Sequence, residues 1–232
     1  MMLREWWLKQ KLSRALNNDK ASLFPCLELH YHYLLTQLDK PISELNLLAI
    51  DIEMTGLNAK KEQMVSIGAI PIINAQIKPK LAQYKLIKIQ GSVGQSAIIH
   101  GVLDRDLSNA LSLPEVLTWL FEQCQDKILV AHHAPLDLQF LQQAMLKTQS
   151  SPLTLFAIDT LNIEKQRQLR KNTALKTGGL RLNACRDYYH LPVYNAHNAL
   201  TDALACAELL LAQLNGMGEL GKTPLKKILN YC

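Results

Sequence analysis

The chain has 232 residues, of which 48% are hydrophobic, and its 25 lysines and arginines exceed its 20 aspartates and glutamates to give a net charge of +5. This length and apolar content suffice for a domain with a sizeable core and exclude a chain that is disordered throughout. Five scattered cysteines without a CxxC pair argue against a disulfide framework and a thiolate zinc site. No apolar run is long enough for a membrane span, and an acid with two tryptophans occupies the place of a signal peptide's apolar stretch. We therefore expect a cytoplasmic protein.

Residues 1–44 differ in texture from the rest of the chain. Apolar residues from Leu3 to Leu16 recur at helical spacing, and a second helical stretch covers about 23–38 before Pro41 ends it. The segment contains no cluster of acids and no glycine-rich loop. We predict a helical N-terminal appendage packed against the main domain, with a surface that docks a partner as the alternative.

Strand and helix signals alternate between residues 45 and 214. The predicted strands cover 45–52, 64–73, 84–89, 128–131 and 155–158. Helices are predicted after the capping box that Ser112 opens, from Pro135, over a basic stretch after the fifth strand, over 180–189 and over 199–214. This order predicts an α/β domain over 45–214, with a mixed sheet flanked by helices, followed by a short C-terminal tail over 215–232.

Two acids end the first predicted strand. Asp51 and Glu53 are two residues apart, so a strand points both side chains to the same face. Two neighbouring carboxylates repel each other, and burying them without a partner is costly. Mg²⁺ or Mn²⁺ would resolve this conflict, because both take hard oxygen ligands. The alternative is an exposed strand end with two solvated acids.

Two further acids and a histidine follow later elements of the predicted domain. Asp137 lies in the first turn of a helix that follows a short buried strand, where an acid is also favoured by the helix dipole alone. Asp202 lies early in the last long helix among small and apolar residues, where an acid is unexpected without a cation. His197 lies at the entry to that helix, and a surface or helix-end histidine is its simplest interpretation.

Three segments that contain these residues resemble one known family. The segments 51–56 (DIEMTG), 132–137 (HHAPLD) and 197–203 (HNALTDA) are similar to the three exonuclease motifs of the DEDDh (DnaQ-like) 3′→5′ exonucleases. That family includes the proofreading epsilon subunit of bacterial DNA polymerase III, RNase T and oligoribonuclease. The segment 99–102 (IHGV) resembles a further family segment. The resemblance covers residues 45–214 and does not cover 1–44.

The resemblance implies a ribonuclease-H-like fold and a mechanism that uses two ions of Mg²⁺ or Mn²⁺. By position, Asp51, Glu53 and Asp202 would ligate the catalytic ion, with Asp51 shared with the second ion. Asp137 would hold the site partly through water. His197 would be the general base that takes a proton from the attacking water.

The same resemblance assigns substrate-binding positions to the first motif and to the further segment. Leu57 would wedge between the last two bases, and the other positions would line the terminal nucleotide; these are Met54, Thr55, Gly56 and His100. The motifs also depart from the usual family pattern at positions that concern base contacts and not the metal site: Met54, His133, Leu136 and Asn198.

Basic residues are concentrated between Glu164 and Asp187. This segment has seven lysines and arginines against two acids, an excess of five that equals the net charge of the whole chain. Such a strip could hold substrate phosphates, and a solvated helix face is the alternative.

Together these features predict a metal-dependent 3′→5′ exonuclease that releases nucleoside 5′-monophosphates from single-stranded or frayed DNA. The first alternative is an enzyme like RNase T or oligoribonuclease that trims RNA 3′ ends. The second is a non-catalytic nucleic-acid-binding module that accompanies a polymerase. The expected partner is single-stranded nucleic acid, with DNA preferred to RNA, and the N-terminal helices are a candidate surface for contact with a polymerase or clamp.

Overall fold

The computed structural model describes residues 2–18, 24–149, 154–171, 175–216, 218 and 222–231. Within these residues seven strands form one sheet, and eight α-helices surround it. The strands are β1 (Leu47–Met54), β2 (Met64–Ile73), β3 (Gln76–Ile77), β4 (Gln83–Leu86), β5 (Ile128–Ala131), β6 (Phe156–Asp159) and β7 (Leu229–Tyr231). The helices are α1 (Met2–Asn18), α2 (Pro25–Gln37), α3 (Ala97–His100), α4 (Leu113–Cys124), α5 (Ala134–Gln149), α6 (Thr160–Arg170), α7 (Leu182–Tyr188) and α8 (Ala199–Gly216).

The sheet is mixed, as the sequence predicts, and β1 lies near its centre. The strand order is β3-β2-β1-β5-β6-β7, and β4 pairs with β2 beside β3. β1 runs antiparallel to β2 and parallel to β5, β6 continues the parallel part, and β7 closes the edge in the antiparallel sense. Six of the eight side chains of β1 are buried, as expected for a central strand covered on both faces.

Most of the elements predicted between residues 45 and 214 are present. The strands over 64–73 and 128–131 and the helix over 113–124 have the predicted bounds, and Ser112 and Glu115 form the predicted capping box. β1 begins and ends two residues later than predicted. The two-residue strand β3 and the three-residue strand β7 were not predicted, because such short segments show no alternation of polar and apolar residues.

The N-terminal helices share the hydrophobic core of the sheet. Tyr31 of α2 is completely buried; its hydroxyl donates to the carbonyl of Thr154 at 2.8 Å, and its ring contacts Phe156 of β6 edge to face. Phe24, directly before α2, contacts Phe121 of α4 in the same way. Burying one such aromatic side chain contributes about 1.5–3 kcal/mol. The predicted packing of these helices against the main domain is thus seen at individual side chains.

The segment after residue 215, predicted as a tail, fastens the N-terminal helices to the sheet. Backbone N–H groups of Leu225 and Lys226 donate to the carbonyls of Lys40 and Leu38, each at 3.0 Å. The Lys226 ammonium forms ion pairs with Glu5 of α1 and with Asp39. β7 then adds to β6. The segments 1–44, 45–214 and 215–232 therefore do not have separate cores.

None of the helices in the described ranges combines the length and the apolar character that crossing a bilayer requires.

Candidate active site

The first two acids of the site lie at the end of β1 and face the same side of the sheet. Asp51 is opposite Gly68 of β2, and Glu53 is opposite Ser66. The pairing register shifts directly after Glu53, so the chain leaves the regular ladder at the second acid. Helix α8 packs on β1 and β2. The predicted carboxylate pair is therefore formed by strand geometry alone.

The first turn of α8 brings the third acid to this pair. A Cβ added at Gly68 would lie 2.3 Å from the carbonyl carbon of Ala199, so a residue without a side chain is needed for α8 to approach β2 this closely. Asn198 caps the helix, since its Oδ1 accepts a hydrogen bond from the backbone N–H of Thr201 at 3.1 Å. These contacts place Asp202 against the acids of β1.

The fourth acid, Asp137, lies in the first turn of α5 and is buried. The turn before α5 contains His133 in the left-handed backbone region, with φ of 68°. The His133 N–H donates to Asp159 Oδ1 at 3.0 Å, and the same oxygen caps α6 through the N–H of Leu161, also at 3.0 Å. Asp159 therefore fixes the turn that precedes α5, the helix that carries Asp137.

The acids form a cluster whose charges oppose one another. Carboxylate oxygens of Asp51, Glu53 and Asp202 lie within 4.8 Å of one another, and Asp137 lies beside them. Burial, then the charges of Asp137, Glu53 and Asp202, raise the pKa of Asp51 well above its ordinary value. Burial, with the charge of Asp202, raises the pKa of Glu53 to about 7. Burial raises the pKa of Asp137 well above its ordinary value, and burial also raises the pKa of Asp202, where the hydrogen bond from the His197 N–H opposes the shift.

This donor set fits a divalent metal ion. Three carboxylates with oxygens within 4.8 Å of one another supply hard oxygen ligands, and a cation would offset the cost of burying their charges together. When bound, such an ion would be held by Asp51, Glu53 and Asp202, with Asp137 adjacent. Such an ion would supply activation of a water nucleophile and charge stabilisation at a leaving oxygen.

His197 lies at the rim of the cluster. Its backbone adopts the left-handed region with φ of 69°, and its N–H donates to Asp202 Oδ2 at 2.7 Å. The residue is exposed, and it lines the cleft described next. The backbone bond thus links the position of His197 to the acid of α8 and leaves the imidazole at the cleft.

The cluster opens into a cleft with two adjoining lobes of about 530 and 1120 Å³. Both lobes are lined by one acid of β1, by the acid of α8 and by residues of the second and third motifs. The shared residues are Asp51, Asp202, His132, His133, Leu136 and His197. The smaller lobe is also lined by all four predicted substrate-binding residues of the first motif, namely Met54, Thr55, Gly56 and Leu57.

The loop after β1 is held in a defined conformation. The Thr55 hydroxyl donates to Glu62 Oε2 at 2.6 Å and accepts from the N–H of Gln63 at 3.0 Å. A Cβ added at Gly56 would lie 2.9 Å from the Glu62 carboxyl carbon, so a larger residue there would displace the Glu62 side chain that holds Thr55. Leu57, at 78% exposure, projects from this loop. A large apolar side chain on a fixed loop is suited to stack on a base.

His100, the fifth predicted substrate-binding residue, is buried behind the wall of the cleft. Its Nδ1 accepts from the N–H of Val102 at 3.1 Å, so its Nε2 donates to the Ser96 hydroxyl at 2.9 Å. Burial, with the nearby charge of His197, lowers the pKa of His100. The side chain that lines the cleft from this segment is its neighbour Ile99.

The basic segment divides into buried and cleft-lining residues. Arg167 is paired with Glu164 and stacks on the ring of Tyr188 at 3.8 Å, while Arg186 is only 2% exposed and pairs with Glu208. These two arginines stabilise the fold and are not available for phosphates, contrary to the continuous strip that the sequence predicted. Lys176 and Arg181 instead line the larger lobe of the cleft.

His132 connects that basic segment to the sheet. Its Nε2 donates to the carbonyl of Leu180 at 2.9 Å, and its Nδ1 accepts from the Thr160 hydroxyl at 2.8 Å. Burial lowers the pKa of the His132 imidazole, in agreement with a neutral ring that uses both nitrogens in hydrogen bonds. His132, the first histidine of the second motif, therefore links the end of β5 to the wall of the cleft through hydrogen bonds.

Some residues of the site were not found from the sequence. Asp159 is the last residue of β6, which pairs in parallel with β5, the strand that precedes Asp137. Because the two strands end at the same edge of the sheet, the position of Asp159 at the end of its strand could have identified it. Ile99 carries no chemical signal of its own. Gln95 and Ser96, which also line the smaller lobe, lie in a loop without a motif.

Comparisons with known proteins agree with this fold. The sequence model of an exonuclease family, RNase_T, matches residues 48–210. DNA polymerase III PolC-type of Thermotoga maritima is 28% identical over 191 residues, which are 82% of this chain and 13% of that protein. The chain therefore spans only about an eighth of the length of such curated relatives.

Two solved structures have a similar fold. Exonuclease X in complex with 5′ overhanging duplex DNA aligns with a TM-score of 0.57 at 20% identity, covering 75% of this chain and 97% of that one. The nuclease domain of 3′hExo, a DEDDh family member bound to rAMP, aligns with a TM-score of 0.61 at 13% identity, covering 75% of this chain and 94% of that one.

The chain has a mixed sheet with a carboxylate cluster at the end of its central strand, and this arrangement places it in the class of ribonuclease-H-like nucleases. The chain belongs to the RNase_T exonuclease family, and its sequence and fold are similar to those of DnaQ-like 3′→5′ exonucleases. The family assignment makes the protein a hydrolytic nuclease.

Proposed function

We propose that the protein removes nucleoside 5′-monophosphates from the 3′ end of single-stranded or frayed DNA, using two ions of Mg²⁺ or Mn²⁺ and His197 as general base. The observation that carries this proposal is the cluster of Asp51, Glu53 and Asp202 at the bottom of an open cleft, with His197 at its rim. A carboxylate cluster serving only stability is disfavoured, because burial and repulsion destabilise it without a cation.

In this mechanism the general base and the metal ligands have different tasks. His197 takes a proton from the water whose oxygen attacks the terminal phosphorus, and the bond to the 3′-oxygen of the preceding nucleotide breaks. Asp51, Glu53 and Asp202 would hold the ions, with Asp137 beside them. Asp202 also orients His197, because its carboxylate accepts a hydrogen bond from the backbone N–H of His197. The general base and the ligand set are therefore coupled.

The substrate-binding roles follow from the walls of the cleft. Met54, Thr55 and Gly56 would line the terminal nucleotide, and Leu57 would wedge between the last two bases. His100 is buried and would act on the terminal nucleotide only indirectly, whereas its neighbour Ile99 would contact the substrate from the wall of the smaller lobe. Lys176 and Arg181 would hold phosphates in the larger lobe.

A DNA substrate is proposed on the similarity to a DNA polymerase and to an exonuclease solved with duplex DNA. An RNA substrate is the alternative, and the likeness to a nuclease domain solved with rAMP supports it. Either substrate is found in the cytoplasm, and the described cysteines Cys26, Cys124, Cys185 and Cys206 are free thiols that suit a reducing compartment.

The N-terminal helices are also proposed to contact a polymerase or clamp. Trp6 and Trp7 of α1 are 53% and 47% exposed and contact each other edge to face. Exposed tryptophans are frequent anchors of protein interfaces. Replacing both by serine should abolish co-sedimentation with the polymerase and leave the nuclease rate unchanged.

The central experiment compares matched DNA and RNA oligomers labelled at either end, with Mg²⁺ and with EDTA. We expect stepwise shortening from the 3′ end, release of 5′-monophosphates, faster hydrolysis of DNA and no hydrolysis in EDTA. Asp51→Asn should abolish hydrolysis, while Asp187→Asn, at an exposed acid outside the cleft, should not. Faster hydrolysis of RNA would select the RNA-trimming alternative, and binding without hydrolysis would select a non-catalytic module.

A further inference from the structure

A separate cavity of about 350 Å³ lies outside the cleft, behind the loop that follows β1. Its floor is made of buried apolar side chains, with Phe140 and Ala144 of α5 2% and 4% exposed and Ile87 1% exposed. Its rim carries three exposed lysines and several glutamines. The lysines are Lys61, Lys88 and Lys147, which come from the loop after β1, from the segment after β4 and from α5.

The cavity and the active site share two structural elements. The loop over 55–63 presents Thr55 to the cleft on one side and Glu62 to the cavity on the other, and the two side chains are hydrogen-bonded at 2.6 Å. Helix α5 carries Asp137 in its first turn and continues through Phe140, Ala144 and Lys147, which repeat at helical spacing on one face. At 1.5 Å per residue, Ala144 lies about 10 Å along this helix from Asp137.

The rim is structurally fixed. Gln63 Nε2 donates to the carbonyl of Gln90 at 2.8 Å, and Gln63 Oε1 accepts from the N–H of Gln90 at 2.9 Å. The backbone N–H of Lys88 donates to the carbonyl of Leu111 at 2.8 Å. The cavity is therefore formed by parts of the chain that hydrogen bonds hold together before any ligand binds.

The charge of the rim is positive. Its one carboxylate, Glu62, accepts the hydrogen bond of the Thr55 hydroxyl, while three ammonium groups surround an apolar floor. An apolar floor suits the face of a nucleobase, glutamine amides suit its polar edge, and lysines suit phosphates. A purely apolar ligand would make no use of the charges of the three lysines. A bare inorganic anion would make no use of the apolar floor.

We propose that this cavity binds a nucleotide of the strand being degraded, about three positions upstream of the scissile bond. A spacing of 3.4 Å per stacked nucleotide carries a strand about 10 Å in three steps, which matches the distance along α5. The inference rests on the proposed exonuclease function. It adds a second contact region that holds the strand while the 3′ end occupies the cleft.

The test compares substrates that can and cannot reach the cavity. The dinucleotide dT2 fills only the cleft, whereas the hexanucleotide dT6 reaches further. In the variant Lys61→Gln/Lys88→Gln/Lys147→Gln we expect the KM for dT6 to rise about tenfold, which corresponds to about 1.4 kcal/mol. The KM for dT2 and both kcat values should remain unchanged, because these lysines lie outside the catalytic cluster.

A second variant and a matched control separate a specific contact from a general loss of charge. Ala144→Leu fills the floor without changing the charge and should weaken dT6 selectively. Lys40→Gln/Lys80→Gln/Lys222→Gln removes the same charge from exposed lysines outside both pockets and should change neither KM. Melting temperatures measured for all variants identify one that fails to fold. An unchanged dT6 KM in the triple lysine variant, or an equal loss in the control, overturns the proposal.

Binding without turnover tests the cavity independently of catalysis. Labelled dT6 is titrated in EDTA with the wild-type protein and the triple lysine variant, and fluorescence anisotropy gives the two Kd values. A weaker Kd in the variant supports the cavity even if the protein cleaves neither substrate, an outcome that would refute only the exonuclease proposal. Equal Kd values overturn the cavity proposal. Loss of free dTMP binding in the variant with unchanged dT6 binding also overturns it, because the cavity would then bind mononucleotides.

Discussion

At the scale of single residues, His197 combines a left-handed backbone with a position at the reactive cluster. Its φ of 69° is uncommon for a residue with a side chain, and the cost is balanced by the N–H bond to Asp202 at 2.7 Å. His133, at 68°, has the same backbone conformation and lines the same cleft. Two of the non-glycine residues with a left-handed backbone thus line the cleft, while Asn74, Ala75 and His190 have the same backbone conformation outside its lining.

This backbone conformation determines which substitution tests the general base. Asparagine tolerates the left-handed region, so His197→Asn should remove the imidazole and keep the loop. We expect kcat to fall by about 10²–10⁴-fold while Mg²⁺ affinity is retained. The pH profile of kcat should also differ between the wild-type protein and the variant, because the variant has no imidazole at this position.

The matched control is His190→Asn, because His190 is exposed, has a left-handed backbone with φ of 53° and lies outside the cleft. Its kcat and pH profile should equal those of the wild-type protein. If His197→Asn keeps the wild-type pH profile, His197 is not the base.

The residues of the cluster could be predicted because their chemistry conflicts with burial. Asp51, Glu53 and Asp202 are acids in apolar surroundings, and that conflict is visible in the sequence. Ile99 could not be predicted, because an isoleucine in a loop looks the same whether it lines a cleft or a core. The burial of His100 depends on hydrogen bonds to Ser96 and Val102 that no motif records.

At the scale of elements, the site depends on how closely α8 approaches β2. An alanine Cβ at position 68 would need to move more than 1 Å to reach ordinary contact with Ala199, since it would begin 2.3 Å away. A misplacement of about 1 Å costs about 10²-fold in rate. We therefore expect Gly68→Ala to lower kcat about 10²-fold and to lower the melting temperature.

Gly216→Ala is the control, because its Cβ would meet only the edge of the Tyr189 ring at 3.3 Å at the far end of the same helix. It should keep the wild-type rate. Normal turnover in Gly68→Ala would show that the position of α8 does not limit catalysis.

The basic segment between β6 and α8 allows a second test at this scale. Lys176 and Arg181 line the cleft, while Arg170 and Lys171 are exposed outside its lining. Lys176→Gln/Arg181→Gln should flatten the dependence of log Kd on log salt by up to about 1.4, at about 0.7 per phosphate contact. Arg170→Gln/Lys171→Gln should leave that slope unchanged. Equal slopes for all proteins would show that phosphates are held elsewhere.

At the scale of the whole molecule, contacts distant in sequence decide what the sequence alone could not show. His30 of α2 is buried, its Nδ1 lies 2.7 Å from the carbonyl of Cys124, and burial lowers its pKa to about 4. Helical spacing predicts α1 and α2, but their partners lie about a hundred residues further along the chain. The same holds for β7, whose place in the sheet depends on β6 and not on its own pattern.

The cluster also makes the stability of the metal-free protein depend on pH. Folding raises the pKa of Glu53 from 4.5 to about 7, and burial raises the pKa values of Asp51 and Asp137 in the same direction. A raised carboxyl pKa contributes stability that is fully present below about pH 4.5 and is lost as pH rises through about 7. In EDTA, the cluster should therefore lower the melting temperature between pH 5 and pH 8.

Mg²⁺ should reverse this loss, because an ion that binds only the folded protein stabilises it, and it binds the ionised carboxylates that accumulate at high pH. The rise in melting temperature on adding Mg²⁺ should thus be larger at pH 8 than at pH 5. In Asp51→Asn, which removes one charge from the cluster, the melting temperature in EDTA should be higher at pH 8 and the response to Mg²⁺ smaller. Asp187→Asn, outside the cleft, should behave as the wild-type protein does. Scanning calorimetry at the two pH values measures both effects, and an equal Mg²⁺ response in wild-type and Asp51→Asn proteins would place the ion elsewhere.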